Sequence, residues 1–127
     1  MTEETLAGGT LANLTPEEAA RLIRDHDAVL IDVRTPQEFA LERIRGALLA
    51  PMQDFEPGLM PCPKGKTVVL HCGSGKRSRM VAERCLKEGA LDRIAHIEGG
   101  FGAWKEAGLP YIGTDPATGG PKEMNAD

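Results

Sequence analysis

The sequence predicts an α/β fold in which a central parallel sheet has helices on both faces. Residues 28–33, 67–70 and 94–97 are short, almost continuous apolar runs, which are typical of parallel strands that are covered on both sides. Segments with helical spacing alternate with these runs along the chain, and this alternation favours crossover helices. A chain of 127 residues with 41% hydrophobic content is long enough for one such domain.

Two helix starts carry the same capping signal. Thr15 is followed by proline and by Glu18, and Thr35 is followed by proline and by Glu38. A threonine cap, proline in the first turn and glutamate three residues after the cap form a capping box. The first helix is expected to end near Asp25, and the second is expected to be short.

The remaining segments are predicted in chain order. Residues 44–49 turn and extend into a short strand, and the proline-rich residues 52–65 form an irregular connection with at most one helical turn. A further short helix is expected around Trp104, before Gly108. The polar residues 1–10 are predicted to be a flexible leader, residues 11–113 the folded domain, and residues 114–127 a flexible tail.

Charge and hydropathy exclude several classes of function. The formal net charge of -4 and the pI of about 5.4 argue against a nucleic-acid partner. No apolar run approaches the roughly 18 residues that a membrane span needs, and the first residues lack the features of a signal peptide. We therefore expect a cytoplasmic protein without a membrane partner.

Cysteine spacing argues against a disulfide framework and against a zinc site. Cys62, Cys72 and Cys85 are odd in number, and no two of them form a C-x-x-C pair. Cys85 lies on the apolar face of a predicted helix, where a core role is expected. Cys62 lies between two prolines, and either a passive loop position or a redox partnership with Cys72 is open. We expect neither a metal nor a cofactor.

The stretch that begins at Cys72 is the candidate catalytic loop. It follows a predicted buried strand and precedes a helix that Ser78 is expected to cap. Glycines and the helix N-terminus allow backbone N–H groups to point towards one anion, and Lys76 and Arg77 add positive charge. Such surroundings favour the reactive thiolate of Cys72. The neighbouring His71 is expected to be structural, because it points to the opposite face of its strand.

Asp32 also lies at the carboxyl end of a predicted strand. In parallel sheets ligands bind beyond these ends, so Asp32 and Arg34 could belong to the rim of the site. A structural ion pair is the other interpretation. Ser74 similarly either donates a hydrogen bond to a ligand or is an ordinary exposed loop residue.

Three separate segments together resemble a known family. Residues 31–39 with 44–47, residues 72–78, and residues 99–104 with 108–110 are similar to the N-terminal signature, the active loop and the C-terminal signature of single-domain rhodaneses. The resemblance extends over about residues 11–112 and implies the rhodanese-like version of the predicted fold. Arg43 and Arg45 depart from it, since the family commonly has histidine and proline there.

The resemblance implies sulfurtransferase activity. Cys72 would take a sulfane sulfur from thiosulfate or a similar anionic donor, release sulfite, and pass the sulfur from a persulfide to cyanide or a thiol. The residues that the resemblance assigns to donor binding and persulfide stabilisation follow Cys72 directly: Gly73, Ser74, Gly75, Lys76, Arg77 and Ser78.

Two alternatives are open. The chain could be a carrier or binding module that receives persulfide sulfur from a partner protein. It could also be a phosphatase of related fold, but four residues separate Cys72 from Arg77, and those phosphatases have one more. The shorter loop favours sulfur transfer over the hydrolysis of a phosphate ester.

Overall fold

A computed structural model describes residues 1–125 and contains two sheets. The strands of the main sheet are β1 (Thr2–Leu6), β2 (Gly9–Leu14), β3 (Ala28–Asp32), β4 (Leu48–Leu49), β5 (Thr67–His71) and β6 (Arg93–Ile97). Their order is β1-β2-β6-β5-β3-β4. β1 is antiparallel to β2, and the other neighbours are parallel. The sheet is therefore mixed but mostly parallel.

Helices cover both faces of this sheet, which confirms the predicted fold class. They are α1 (Pro16–Arg24), α2 (Pro36–Leu41), α3 (Lys76–Lys87) and α4 (Gly100–Glu106). Successive strand residues point to opposite faces, so neighbouring positions enter different cores. Leu70 packs in the core that contains α3 residues, and Val69 packs in the core that contains Trp104 of α4. Cys72 belongs to the α3 core.

Both predicted capping boxes are present. The Thr15 hydroxyl accepts from the Glu18 N–H at 3.2 Å, and the Glu18 carboxylate accepts from the Thr15 N–H at 2.9 Å. Thr35 and Glu38 make the same reciprocal pair at 3.2 and 3.1 Å. Each box satisfies N–H groups that the first helical turn leaves without a partner.

The residues predicted as a flexible leader form strands instead. β1 runs along the edge of the sheet, and Gly8 lies in the turn to β2 with φ +92°. A Cβ on Gly8 would lie 2.0 Å from the Leu86 carbonyl oxygen, so the turn packs directly on α3. The sequence did not predict β1 as a strand, because its acidic side chains give it no apolar run. One of them, Glu4, pairs with Arg79 of α3.

Most of the residues predicted as a flexible tail form a hairpin, from β7 (Tyr111–Thr114) to β8 (Pro121–Met124). Backbone ladder bonds hold this polar hairpin, and the Thr114 hydroxyl donates to the Leu41 carbonyl oxygen at 2.8 Å. The last two residues of the predicted tail, 126 and 127, lie outside the described part of the chain.

One of two local predictions needs correction. The connection over residues 52–65 contains two 3₁₀ turns, Met52–Asp54 and Pro57–Leu59, instead of at most one helical turn. The turn and short strand predicted within residues 44–49 are present, with a turn at residues 45–46 and the strand at β4, which pairs with β3. Within residues 1–125, every helix falls short of the length and apolar content that crossing a bilayer requires.

Candidate active site

Cys72 lies at the carboxyl edge of the sheet, directly after β5. The loop residues 73–75 then lead into α3, which begins at Lys76. Strand β3, the neighbour of β5, ends at Asp32 beside His71. The predicted loop is therefore short and held at both ends, by a central strand and by a helix.

The Cys72 sulfur caps the N-terminus of α3. The Gly75 N–H donates to Sγ at 3.1 Å, and the Ser78 N–H donates at 3.3 Å. Gly75 has φ +102°, a conformation that glycine adopts easily. The prediction that Ser78 caps α3 was wrong, because the cap is Gly75, three residues earlier, and free N–H groups of the helix start turn to the sulfur. Ser78 instead lies in the first turn of α3, fully buried.

The surroundings of Cys72 favour the thiolate. Burial opposes a charge on the sulfur and would raise the pKa, but hydrogen bonds from Ser78, Gly75 and Ser74 outweigh it and lower the pKa below its usual value. These donors belong to the loop and the helix start, so they are in place before any substrate arrives.

An ion pair between Arg77 and Glu38 lies over the loop. The guanidinium contacts both carboxylate oxygens, at 2.7 and 3.0 Å. An atom added at the Cβ position of Gly73 would lie 3.4 Å from Arg77 Nη2 and 3.9 Å from Glu38 Oε2. Cys72 itself has no exposed surface. The Arg77 hydrogen bonds hold the Glu38 carboxyl pKa at about 2, so the pair is fully charged at neutral pH.

The start of α4 holds the other side of the loop. The Phe101 N–H donates to the Cys72 carbonyl oxygen at 2.8 Å, and the Gly102 N–H donates to the Gly73 carbonyl oxygen at 3.1 Å. Gly100 has φ +62°, and a Cβ there would lie 2.5 Å from the Cys72 carbonyl oxygen. The glycine pair in the C-terminal segment thus permits a close contact between α4 and the loop.

The two charged residues considered for the rim, Asp32 and Arg34, form a buried ion pair. Asp32 is fully buried and Arg34 is 5% exposed. The Arg34 side chain donates to both Asp32 carboxylate oxygens at 2.8 to 3.0 Å, and it also donates to the Glu42 carbonyl oxygen. Each group neutralises the other, which agrees with the ion-pair interpretation.

Burial lowers the pKa of His71 to about 4, so this histidine is neutral.

His96 and Asn13 extend the site in a direction that the sequence analysis missed. His96 Nδ1 lies 2.9 Å from the Ser78 hydroxyl, and His96 Nε2 lies 2.8 Å from Asn13 Oδ1. Both residues are buried. The sequence contained one signal for this contact. His96 is a polar residue inside the otherwise apolar strand of residues 94–97, and a buried polar group needs a hydrogen-bond partner.

The remaining candidates are two further residues of the Cys72 loop and the other two cysteines. Ser74 and Lys76 are exposed. Cys85 is buried in the core, and Cys62 is exposed on the connecting segment. No group of three metal-ligating side chains occurs within residues 1–125. An apolar cavity of about 330 Å³ is lined by residues of α1, α4 and the β7–β8 hairpin, and no residue of the Cys72 loop lines it. A second, small cavity of about 40 Å³ is lined in part by Arg77.

Comparison with known families gives a clear result. The sequence model of one protein family, the rhodanese-like domain, matches residues 15–107 of this chain. This chain belongs to the rhodanese-like domain family. The match includes both capping boxes, the Cys72 loop and α4. Of the three segments that resemble rhodaneses, only residues 108–110 lie beyond the matched range.

Relatives of this rhodanese-like domain include sulfurtransferases. A protein named sulfurtransferase from Allochromatium vinosum is 36% identical over 92 residues, which are 72% of this chain and 85% of that protein. An uncharacterised protein from Synechocystis is 38% identical over 88% of this chain, and this chain spans only 63% of its length. The crystal structure of thiosulfate sulfurtransferase from Pseudomonas aeruginosa superposes with a TM-score of 0.70 at 25% identity, covering 80% of this chain and 20% of that one.

Proposed function

We propose that this rhodanese-like domain is a sulfurtransferase that carries a sulfane sulfur on Cys72. One observation supports this proposal above the others: backbone N–H groups of the loop and of α3 converge on Sγ at 3.1 and 3.3 Å. A persulfide anion has no permanent counterion and needs such donors. The sulfurtransferases among the relatives support the same reaction class.

The first half-reaction loads the cysteine. An electron pair of the Cys72 thiolate forms a bond to the outer sulfur of thiosulfate, while the S–S bond of thiosulfate breaks and its electron pair leaves with sulfite. The products are sulfite and a Cys72 persulfide anion. In the second half-reaction a nucleophile such as cyanide attacks the outer sulfur, and the electron pair of the broken S–S bond restores the thiolate.

The sulfur has no exposed surface, so a donor can reach it only if a group over the loop moves. We assign this movement to the Arg77–Glu38 pair, which lies 3.4 to 3.9 Å from the Cβ position of Gly73, the residue after Cys72. Arg77 is the group best placed to exchange partners, since its guanidinium can bind the oxygens of an anionic donor as it binds the Glu38 carboxylate. Lys76 is exposed beside it and adds positive charge along the approach. The donor anion would thus replace Glu38 as the partner of Arg77.

The smaller members of the loop provide space and N–H groups. Gly73 keeps the volume beneath the ion pair free, since a Cβ there would lie 3.4 Å from Arg77 Nη2. The backbone N–H groups of Ser74, Gly75 and Ser78 can follow the negative charge when it moves from Sγ to the outer sulfur. We assign them to persulfide stabilisation.

A thiocyanate assay tests this function. The protein is incubated with thiosulfate and cyanide, and thiocyanate is measured for the parent, for Cys72→Ser and for the matched variant Cys85→Ser. We expect turnover in the parent and in Cys85→Ser, and none above background in Cys72→Ser. Equal turnover of all three proteins would refute the role of Cys72.

The same samples separate the alternatives. A parent that gains one sulfur atom from a protein persulfide, but does not turn over thiosulfate, would indicate a carrier. Hydrolysis of an aryl phosphate by the parent and not by Cys72→Ser would indicate a phosphatase.

A further inference from the structure

A buried hydrogen-bond chain connects Cys72 to the edge strand β1. The thiol lies 3.6 Å from the Ser78 hydroxyl oxygen, which lies 2.9 Å from His96 Nδ1. His96 Nε2 is 2.8 Å from Asn13 Oδ1, and the Asn13 amide nitrogen donates to Glu4 at 2.8 Å. We call Ser78, His96 and Asn13 the relay. Its three members come from α3, β6 and β2, and each is less than a tenth exposed.

The outer end of the relay fixes the positions of its protons. Arg79 and Asn13 hydrogen-bond to Glu4 and hold its pKa at about 2, so this carboxylate is ionised and can only accept. The Asn13 amide nitrogen must then face Glu4, and its oxygen must face His96. Because that oxygen only accepts, His96 Nε2 carries a proton. In the neutral ring Nδ1 is consequently unprotonated and accepts from the Ser78 hydroxyl, which lies nearer to Nδ1, at 2.9 Å, than to its other acceptor, the Gly75 carbonyl oxygen, at 3.2 Å.

We propose that His96 is the proton acceptor for Cys72 and that it acts through the Ser78 hydroxyl. The S–H bond breaks, its electron pair stays on sulfur, and the proton moves to Ser78 Oγ. The original Ser78 proton moves to His96 Nδ1, and the ring becomes an imidazolium. The Ser78 hydroxyl now donates to the thiolate, and Nδ1–H donates to Ser78. No proton leaves the protein, and the net charge does not change.

The groups around His96 fit an acceptor that is neutral at rest. Burial and the positive charge of Arg79 on α3 lower the pKa of His96, whereas Glu98 after β6 and Glu4 on β1 oppose this shift. The thiolate formed at the far side of Ser78 compensates the imidazolium charge. Cys72 and His96 therefore titrate as a coupled pair.

The inference adds an origin for the thiolate to the proposed function, on which its catalytic relevance rests. The loop N–H groups stabilise the thiolate once it has formed, but they cannot accept its proton. His96 does not touch the sulfur and is a positioning residue for sulfur transfer. The relay also explains why the edge strand β1, which carries Glu4, is tied to the site.

Alkylation tests the relay without any sulfur donor. A Cys62→Ser background removes the exposed thiol, and the rate of Cys72 alkylation by iodoacetamide is measured against pH. His96→Asn keeps an oxygen that can accept from Ser78 but cannot be protonated in this pH range. Ser78→Ala removes the hydroxyl and keeps the backbone N–H. Circular dichroism shows that each variant is folded, and if one is not, the other carries the test.

The expected result is a rise in the apparent Cys72 pKa of about one unit in His96→Asn, which makes alkylation about tenfold slower below the parent pKa. Ser78→Ala should give a similar shift, and the double variant should add little, because either change interrupts the same path. A His96→Asn profile that superposes on the parent, or shifts that add in the double variant, would overturn the proposal.

A reciprocal measurement follows His96 itself by NMR. Coupling to the thiolate should keep His96 protonated to a higher pH in the parent than in Cys72→Ser. Identical His96 titrations in the two proteins would contradict the coupling. Both experiments omit thiosulfate, so a protein that passes them and fails the thiocyanate assay retains the relay and loses only the proposed function.

Discussion

Replacing Gly100 by alanine should damage both the stability and the site. Gly100 has φ +62°, and the added Cβ would lie 2.5 Å from the Cys72 carbonyl oxygen and 2.7 Å from the Gly73 carbonyl carbon. Ordinary contacts are longer by almost 1 Å, and the atoms in the way belong to the backbone. Either α4 or the loop must therefore move.

The magnitude follows from two costs. A side chain in the left-handed region costs about 1–2 kcal/mol, and overpacking against a rigid neighbour costs about 1–3 kcal/mol. Together these predict a loss of about 2–5 kcal/mol in the free energy of unfolding, measured by urea denaturation. A loop displaced by about 1 Å should lower the rate of sulfur transfer by about 10²-fold.

Gly102→Ala is the matched control in the same helix. Its added Cβ would lie 3.6 Å from the Gly73 carbonyl oxygen, an ordinary contact, and Gly102 does not have a positive φ. Alanine is also the better helix former, by about 1 kcal/mol. We expect stability and activity close to those of the parent. A Gly100→Ala protein as stable and active as Gly102→Ala would refute the reasoning about this contact.

Three further predictions concern the ion pair, acid stability and cysteine reactivity. Glu38→Gln keeps the cap of α2 and weakens the hold on Arg77, so KM for thiosulfate should fall about two- to fivefold, the range of an exposed ion pair; steady-state kinetics that give a raised KM would contradict partner exchange. Because the Glu38 pKa lies near 2 in the fold and its usual value is 4.5, its contribution is complete above about pH 4.5 and is lost as the pH falls towards 2. Urea unfolding at pH 5 and pH 3 should therefore show a larger loss for the parent than for Glu38→Gln, by less than about 1 kcal/mol for this partly exposed pair, and equal losses would contradict the pairing. Burial raises the pKa of Cys85 to about 11, so iodoacetamide should label Cys62 and spare Cys85 in the native protein by peptide mass analysis, and comparable labelling of both would show that Cys85 is not protected.

The sequence predicted the parts of the fold whose signals are local. The capping threonines and the apolar central strands specify their own structures, and the core helices follow from spacing. The sequence did not predict the edge strand β1 or the β7–β8 hairpin, because their polar residues are held by pairing with distant segments. Glu4, for example, finds Arg79 at a separation of 75 residues.

In the candidate site, too, the sequence predicted the residues that are close together in the chain and missed their distant partners. Cys72 and its loop are contiguous in sequence and could be recognised by spacing. The partners of the loop residues are distant: Glu38 for Arg77, and His96 for Ser78. Nothing local indicates that Ser78 contacts a histidine 18 residues later. For this reason the sequence predicted Ser78 as the cap of α3, whereas its hydroxyl contacts His96.

The most direct test of the central claim is the mass of the Cys72 peptide after brief exposure to thiosulfate. The intact protein is treated with thiosulfate, alkylated and digested under non-reducing conditions. We predict that the peptide containing Cys72 gains the mass of one sulfur atom, that the peptides containing Cys62 and Cys85 do not, and that cyanide removes the gain. An unmodified Cys72 peptide, or a gain carried by Cys62 instead, would contradict the persulfide mechanism.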